Sequence, residues 1–140
     1  MKTWIVFAFL SMFFAGFTSV IAKMGLNGIS GELGLAIRTC FVFLFVMIFA
    51  VARISSSQLQ SLGWNNYLWL GISGVTTTLS WIFYYLALKD GKVSTIALID
   101  KGSVVVAILL AAIILKEQIT LRTIGGGLLM IAGLLLIAKK

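Results

Sequence analysis

Residues 93–115 read VSTIALIDKGSVVVAILLAAIIL, an apolar run with Asp100 and Lys101 side by side within it. As a helix rising about 1.5 Å per residue, a run of this length covers the roughly 30 Å hydrocarbon core of a bilayer. A charged side chain at that depth costs from roughly 3 to over 10 kcal/mol, so intramembrane ionisable groups are rare and mark places where something is done. The stretch therefore assigns the chain to the membrane and makes Asp100 and Lys101 its first candidate functional residues.

Four further apolar segments flank it, at residues 4–22, 33–52, 67–88 and 119–138. In lipid every backbone amide must be bonded internally, which leaves helices or a closed barrel, and continuous runs of this length mean helices. The expected fold is an all-α membrane protein, a bundle of five transmembrane helices forming one domain over residues 1–140. Composition agrees: 61% of the 140 residues are hydrophobic and the mean hydropathy is +1.13, against roughly 45–50% apolar residues in soluble domains. Lys2 and the apolar run after it resemble a signal peptide, but the run continues through Ala22 and reads as a first span.

The connections are short. Residues 25–32, GLNGISGE, are glycine-rich; residues 55–66 form the longest polar stretch, suited to the membrane interface; Lys89-Asp90-Gly91-Lys92 and Lys116-Glu117-Gln118 are tight turns. Five crossings put the termini on opposite sides. Lys2, Arg53, Lys116 and Arg122 then face Lys23, Arg38, Lys89, Lys92, Lys139 and Lys140 across the membrane. The small bias points to a cytoplasmic C-terminus and leaves room for insertion in both orientations, which would let two copies pair antiparallel.

Several functions are excluded by what the chain lacks. It has no His and no Pro, and neither CxxC nor HExxH occurs, which removes most metal sites and His-based acid–base catalysis. No enzyme activity, metal or cofactor is expected. The lone Cys40 lies in an apolar segment and forms no intramolecular disulfide. Eleven basic residues against four acids give a net charge of +7, without the basic runs and interleaved aromatics of a nucleic-acid binder, so the excess belongs at lipid headgroups.

Helix faces offer a second layer of candidates. Ala8, Ser11, Ala15, Ser19 and Ala22 form a small-residue stripe that serves close packing or widens a cavity wall. Gly125, Gly126, Gly127 and Gly133 suit a subunit interface or tight intrachain packing. Thr77, Trp81 and Tyr84 or Tyr85 share a face and either line a pocket for an amphipathic or cationic ligand or belong to an interfacial aromatic belt.

Of the four acids, Glu32, Asp90 and Glu117 sit at span ends where water reaches them, leaving Asp100 alone at depth. In a chain without His, such a carboxylate is the natural proton carrier; the alternative is a structural ion pair that fixes helix register. Successive helical residues point about 100° apart, so Asp100 and Lys101 are expected to find separate partners, Arg38 being one for Asp100 or for an anionic substrate group. Asp100, Ser103, Ala107 and Ala111 share a face and could line a cavity.

Trp4 with a small-residue first helix closing on Ala22-Lys23-Met24-Gly25, Arg38 early in the second span, and Leu115-Lys116-Glu117-Gln118-Ile119-Thr120 before a glycine-rich helix together resemble an EamA domain of the drug/metabolite transporter superfamily. Most such proteins carry two five-helix units as inverted repeats; this sequence is similar to the single-unit, five-span bacterial or archaeal branch. The resemblance implies a multi-pass protein of the bacterial or archaeal cytoplasmic (inner) membrane that exports small metabolites through a central, alternating-access cavity. It also implies roles near helix ends for Lys23, Arg38 and Glu117.

Two departures stand out. The family's fourth helix usually carries a Pro where this chain has Leu98 to Ser103, so Gly102 is expected to supply the bend. The four-helix small multidrug resistance proteins carry an essential acid in their first helix, and this first span has none. The expected function is small-solute transport by a homodimer, with Asp100 coupling a proton or binding a cation, Lys101 and Arg38 tuning its charge, and Trp81, Tyr84 and Tyr85 contacting the solute. The alternatives are a non-transporting helper packed into a larger membrane complex and a lipid-carrier flippase subunit.

Overall fold

The computed structural model describes residues 3–138; Lys2, Lys139 and Lys140 of the orientation tally lie outside them. Among the described residues the chain forms seven helices and no strand: α1 (Thr3–Gly25), α2 (Gly31–Arg53), α3 (Ser56–Gln60), α4 (Trp64–Asp90), α5 (Val93–Lys101), α6 (Ser103–Ile114) and α7 (Leu121–Ala138). Four of the expected spans correspond to α1, α2, α4 and α7, and the remaining one is divided into α5 and α6 at Gly102.

Three segments are long and apolar enough to cross a membrane: Thr3–Gly25, Gly31–Arg53 and Val93–Ile114. Leu121–Ile137 is apolar but shorter. α4 has the length, at 27 residues, but its Thr76, Thr77, Thr78 and Ser80 dilute its apolar character. Large side chains such as Phe7, Phe43, Leu70, Ile113 and Leu129 stand exposed along these helices. Contiguous apolar surface on this scale belongs in lipid or against another protein, and the chain is a multi-pass membrane protein.

Local chemistry sets the helix ends. Ser30, extended at φ −74° and ψ 159°, caps α2 by accepting a hydrogen bond from the Leu33 amide at 3.2 Å, and Glu32 adds a negative charge to the first turn. α3 lies in the polar connection; the Gln58 side chain accepts from the Ser55 amide at 2.9 Å. α6 ends where Lys116 takes a left-handed conformation at φ 54° and the Glu117 amide bonds back to Ala111 at 3.2 Å.

The chain divides into two compact units, one comprising the described residues up to Ser19 and from Gly91 onward, the other Val20–Asp90. In the second unit the principal packing is α2 on α4. A Cβ on Gly31 would stand 2.8 Å from the Tyr85 carbonyl oxygen, so α2 meets the α4 backbone at a point only glycine allows. Leu26, Tyr85 and Leu88 are the buried apolar residues, and Leu26 lies directly over Gly34. In the first unit α7 packs on both α5 and α6, and Leu134 closes on Gly102, where a Cβ would meet its Cδ1 at 2.9 Å.

Candidate functional site

Arg38 enters the second unit from α2, seven residues past Gly31 and thus about 10 Å along the helix axis. Its guanidinium carbon lies 4.4 Å from the centre of the Trp81 ring and 5.8 Å from that of Tyr85, both on α4. Trp81 and Tyr85 are four apart, so one face of α4 presents both rings. Tyr84 extends the cluster, its ring 6.2 Å from that of Tyr85 and inclined at 59°. Tyr85 is buried, at 4% exposure, and sits where Gly31 brings the two backbones together, so the platform under Arg38 is rigid.

The sequence offered these aromatic faces to a cationic ligand; the cation they hold is the chain's own Arg38. Cation–π contacts are worth from about 0.5 up to about 2 kcal/mol as desolvation increases. The Nη1 atom of Arg38 is shielded from solvent and lacks a hydrogen-bond partner. No carboxylate among the described residues forms an ion pair with it. Thr77 stands apart from the cluster: it is exposed, and its hydroxyl donates to the Ser73 carbonyl at 2.8 Å.

The expectation that Asp100 and Lys101 seek separate partners needs correction. Lys101 Nζ lies 3.4 Å from Asp100 Oδ2. The long, flexible lysine stem lets these neighbours meet although they point apart, and Gly102 follows them in a tightened turn, its amide bonding to Ile99 at 2.9 Å. Both side chains stay open, 49% exposed for Lys101 and 37% for Asp100. Ser103, the first residue of α6, is exposed beside them.

The helix-end residues do two different things. Lys23 Nζ donates to the carbonyls of Leu88 at 2.6 Å and Lys89 at 2.8 Å, closing the C-terminus of α4, while Lys89 Nζ reaches the Leu26 carbonyl at 3.4 Å. Residues Lys23, Met24, Leu26, Asn27 and Lys89 border an open cleft of about 500 Å³. This interlock was not foreseen; its only sequence signal is a lysine near each of two helix ends. Glu117 borders a separate open cleft of about 310 Å³ with Val104, Ala107, Ile108, Ala111 and Thr123. Of the glycines in α7, Gly127 touches Ile108, whereas a Cβ on Gly125, Gly126 or Gly133 would meet nothing within 4 Å. Among the described residues, no group of His, Cys, Asp and Glu could hold a metal ion.

An α-helical chain with charges at membrane depth is compatible with several membrane functions, and comparison with known proteins narrows them. The model of the EamA-like transporter family matches residues 2–139. The chain belongs to that family. It is also similar to a Sinorhizobium protein named an uncharacterized transporter in the cobO 3' region, at 31% identity over 137 residues, 98% of this chain and 97% of the relative. No solved structure matches it. Family and relative together support a membrane transporter.

Proposed function

We propose that the chain carries a small solute across the bacterial or archaeal cytoplasmic membrane by alternating access, working as a homodimer of five-span subunits. The observation that supports this best is the Asp100–Lys101 pair within the fourth span, beside a tightened turn at Gly102 whose backbone stays helical at φ −59° and ψ −22°. Ionisable residues inside transmembrane segments mark substrate and ion pathways. Asp100 takes up the coupling proton, and Lys101 balances its charge while the proton is absent. The half-open pair needs a water-filled passage or a second subunit to cover it at membrane depth. An antiparallel copy meets that need, with the open glycine face of α7 as the subunit seam. Arg38, Trp81, Tyr84 and Tyr85 contact the solute, and outward transport follows the family's common direction.

The test is uptake by the purified chain in liposomes, using phosphate, succinate and tetramethylammonium as probes. Saturable uptake of any one, absent from protein-free liposomes, supports the carrier. No uptake of all three, together with purification in fixed proportion with another membrane protein, would replace it with the helper role.

A further inference from the structure

We infer that Arg38 receives an oxyanion, a carboxylate or phosphate group on the carried molecule, so that the carrier proposed above handles anions. The inference rests on that reading and supplies its substrate class. Three observations lead to it. The aromatic faces of Trp81 and Tyr85 that could have bound a cationic solute already hold the Arg38 guanidinium, at 4.4 Å and 5.8 Å. Those contacts are made to ring faces and leave the in-plane N–H donors of the guanidinium uncommitted. One of those donor atoms, Nη1, is shielded from water with no acceptor beside it.

Two unmet demands coincide there. A buried N–H without an acceptor carries its full desolvation penalty, and the half-buried guanidinium, with no ion-pair partner among the described residues, is favoured by a counter-charge. A neutral solute would satisfy the first and leave the second, while a cation would worsen both. An oxyanion satisfies them together, because the guanidinium fork matches two oxygens of a carboxylate or phosphate. The platform is fixed in advance by Gly31, whose close approach to Tyr85 holds the two helices together, so little ordering is required when the anion arrives.

Trp81 supplies the readout. With Trp4, Trp64 and Trp69 replaced by Phe, it is the sole tryptophan, and its emission reports directly on the neighbouring guanidinium. In an uncharged detergent, inorganic phosphate or succinate should change that emission saturably, whereas sodium chloride at equal ionic strength should not. Arg38→Gln should abolish the response. Arg38→Lys, which keeps the charge but loses the fork, should weaken binding at least tenfold, and it serves if Arg38→Gln fails to retain its helical circular dichroism. Nanodiscs supply the second arm: a response in phosphatidylglycerol but not phosphatidylcholine, with no soluble anion present, identifies a lipid headgroup as the anion's source. No saturable response to phosphate, succinate or phosphatidylglycerol, or an equal one in both Arg38 variants, overturns the inference. Uptake of tetramethylammonium alone by liposomes would also overturn it and leave the carrier standing. Absent uptake combined with an Arg38-dependent Trp81 response would remove the carrier and keep the anion site.

Discussion

The ammonium of Lys23 on α1 donates to the carbonyl of Leu88 on α4 at 2.6 Å and to that of Lys89 at 2.8 Å. The last carbonyls of a helix have no partner within it, and a cation placed there meets both their hydrogen-bonding need and the negative end of the helix dipole. Lys23→Met removes both bonds and leaves the carbonyls unpaired close to buried Leu88. Hydrogen bonds from charged groups contribute about 1.5–3 kcal/mol each, and because Lys23 is only half-buried the low end applies. Expected is a loss of about 3 kcal/mol in thermal or denaturant unfolding in detergent, with Lys23→Arg recovering part of it. An unchanged Tm in Lys23→Met would show that the bonds contribute nothing to stability.

Gly31→Ala probes the α2–α4 contact. The new Cβ would stand 2.8 Å from the Tyr85 carbonyl oxygen, and backbone cannot swing aside as a side chain can. Overpacking of this kind costs about 1–3 kcal/mol, and parting the helices also moves Tyr85 from beneath Arg38. Lower Tm and weaker response of Trp81 to anions are therefore expected together. Gly16→Ala is the control: its Cβ meets nothing within 4 Å in the middle of α1, so stability should hold or rise by about 0.5–1 kcal/mol.

Gly102→Ala tests the tightened turn in the fourth span. A Cβ there meets the Ile99 carbonyl oxygen at 2.9 Å and Leu134 Cδ1 at 2.9 Å. The variant should lose both stability and uptake, and a second change, Leu134→Ala, should return part of the stability by clearing the side-chain clash. If the double variant is no better than Gly102→Ala alone, the contact with α7 is not what requires glycine.

Periodicity and length made the helices legible, because lipid leaves the backbone few choices and a chain without Pro has little to interrupt them. The ends of α1 and α4 ran beyond the apolar runs because Lys23 and Lys89 are helical residues that the hydropathy pattern excludes. The meeting of Asp100 with Lys101 escapes the 100° rule because that rule sets where the two Cβ bonds point, and a lysine stem is long and flexible enough to cross the gap. Arg38 was legible as a charge worth notice, and the aromatic residues as a face. Their union was not, since it depends on how Gly31 sets α2 against Tyr85 across more than fifty residues of sequence.

Dual insertion, which the small charge bias leaves room for and the proposed antiparallel pair requires, is read by labelling. Single cysteines made as Lys2→Cys and Lys140→Cys, each in a Cys40→Ser background, should react with an impermeant thiol reagent from both faces of the membrane. Reaction of each position from one face alone would exclude the antiparallel pair.

The measurement closest to the central claim is proton-coupled uptake in liposomes under an imposed pH gradient, comparing the native chain with Asp100→Asn. Asn keeps the size of the side chain and loses its proton chemistry, so the variant should fold, insert and still bind its solute at Arg38. Expected is at least a hundredfold loss of gradient-driven uptake with unchanged helical content. Gradient-driven uptake that survives at the native rate in Asp100→Asn would remove this carboxylate from the mechanism.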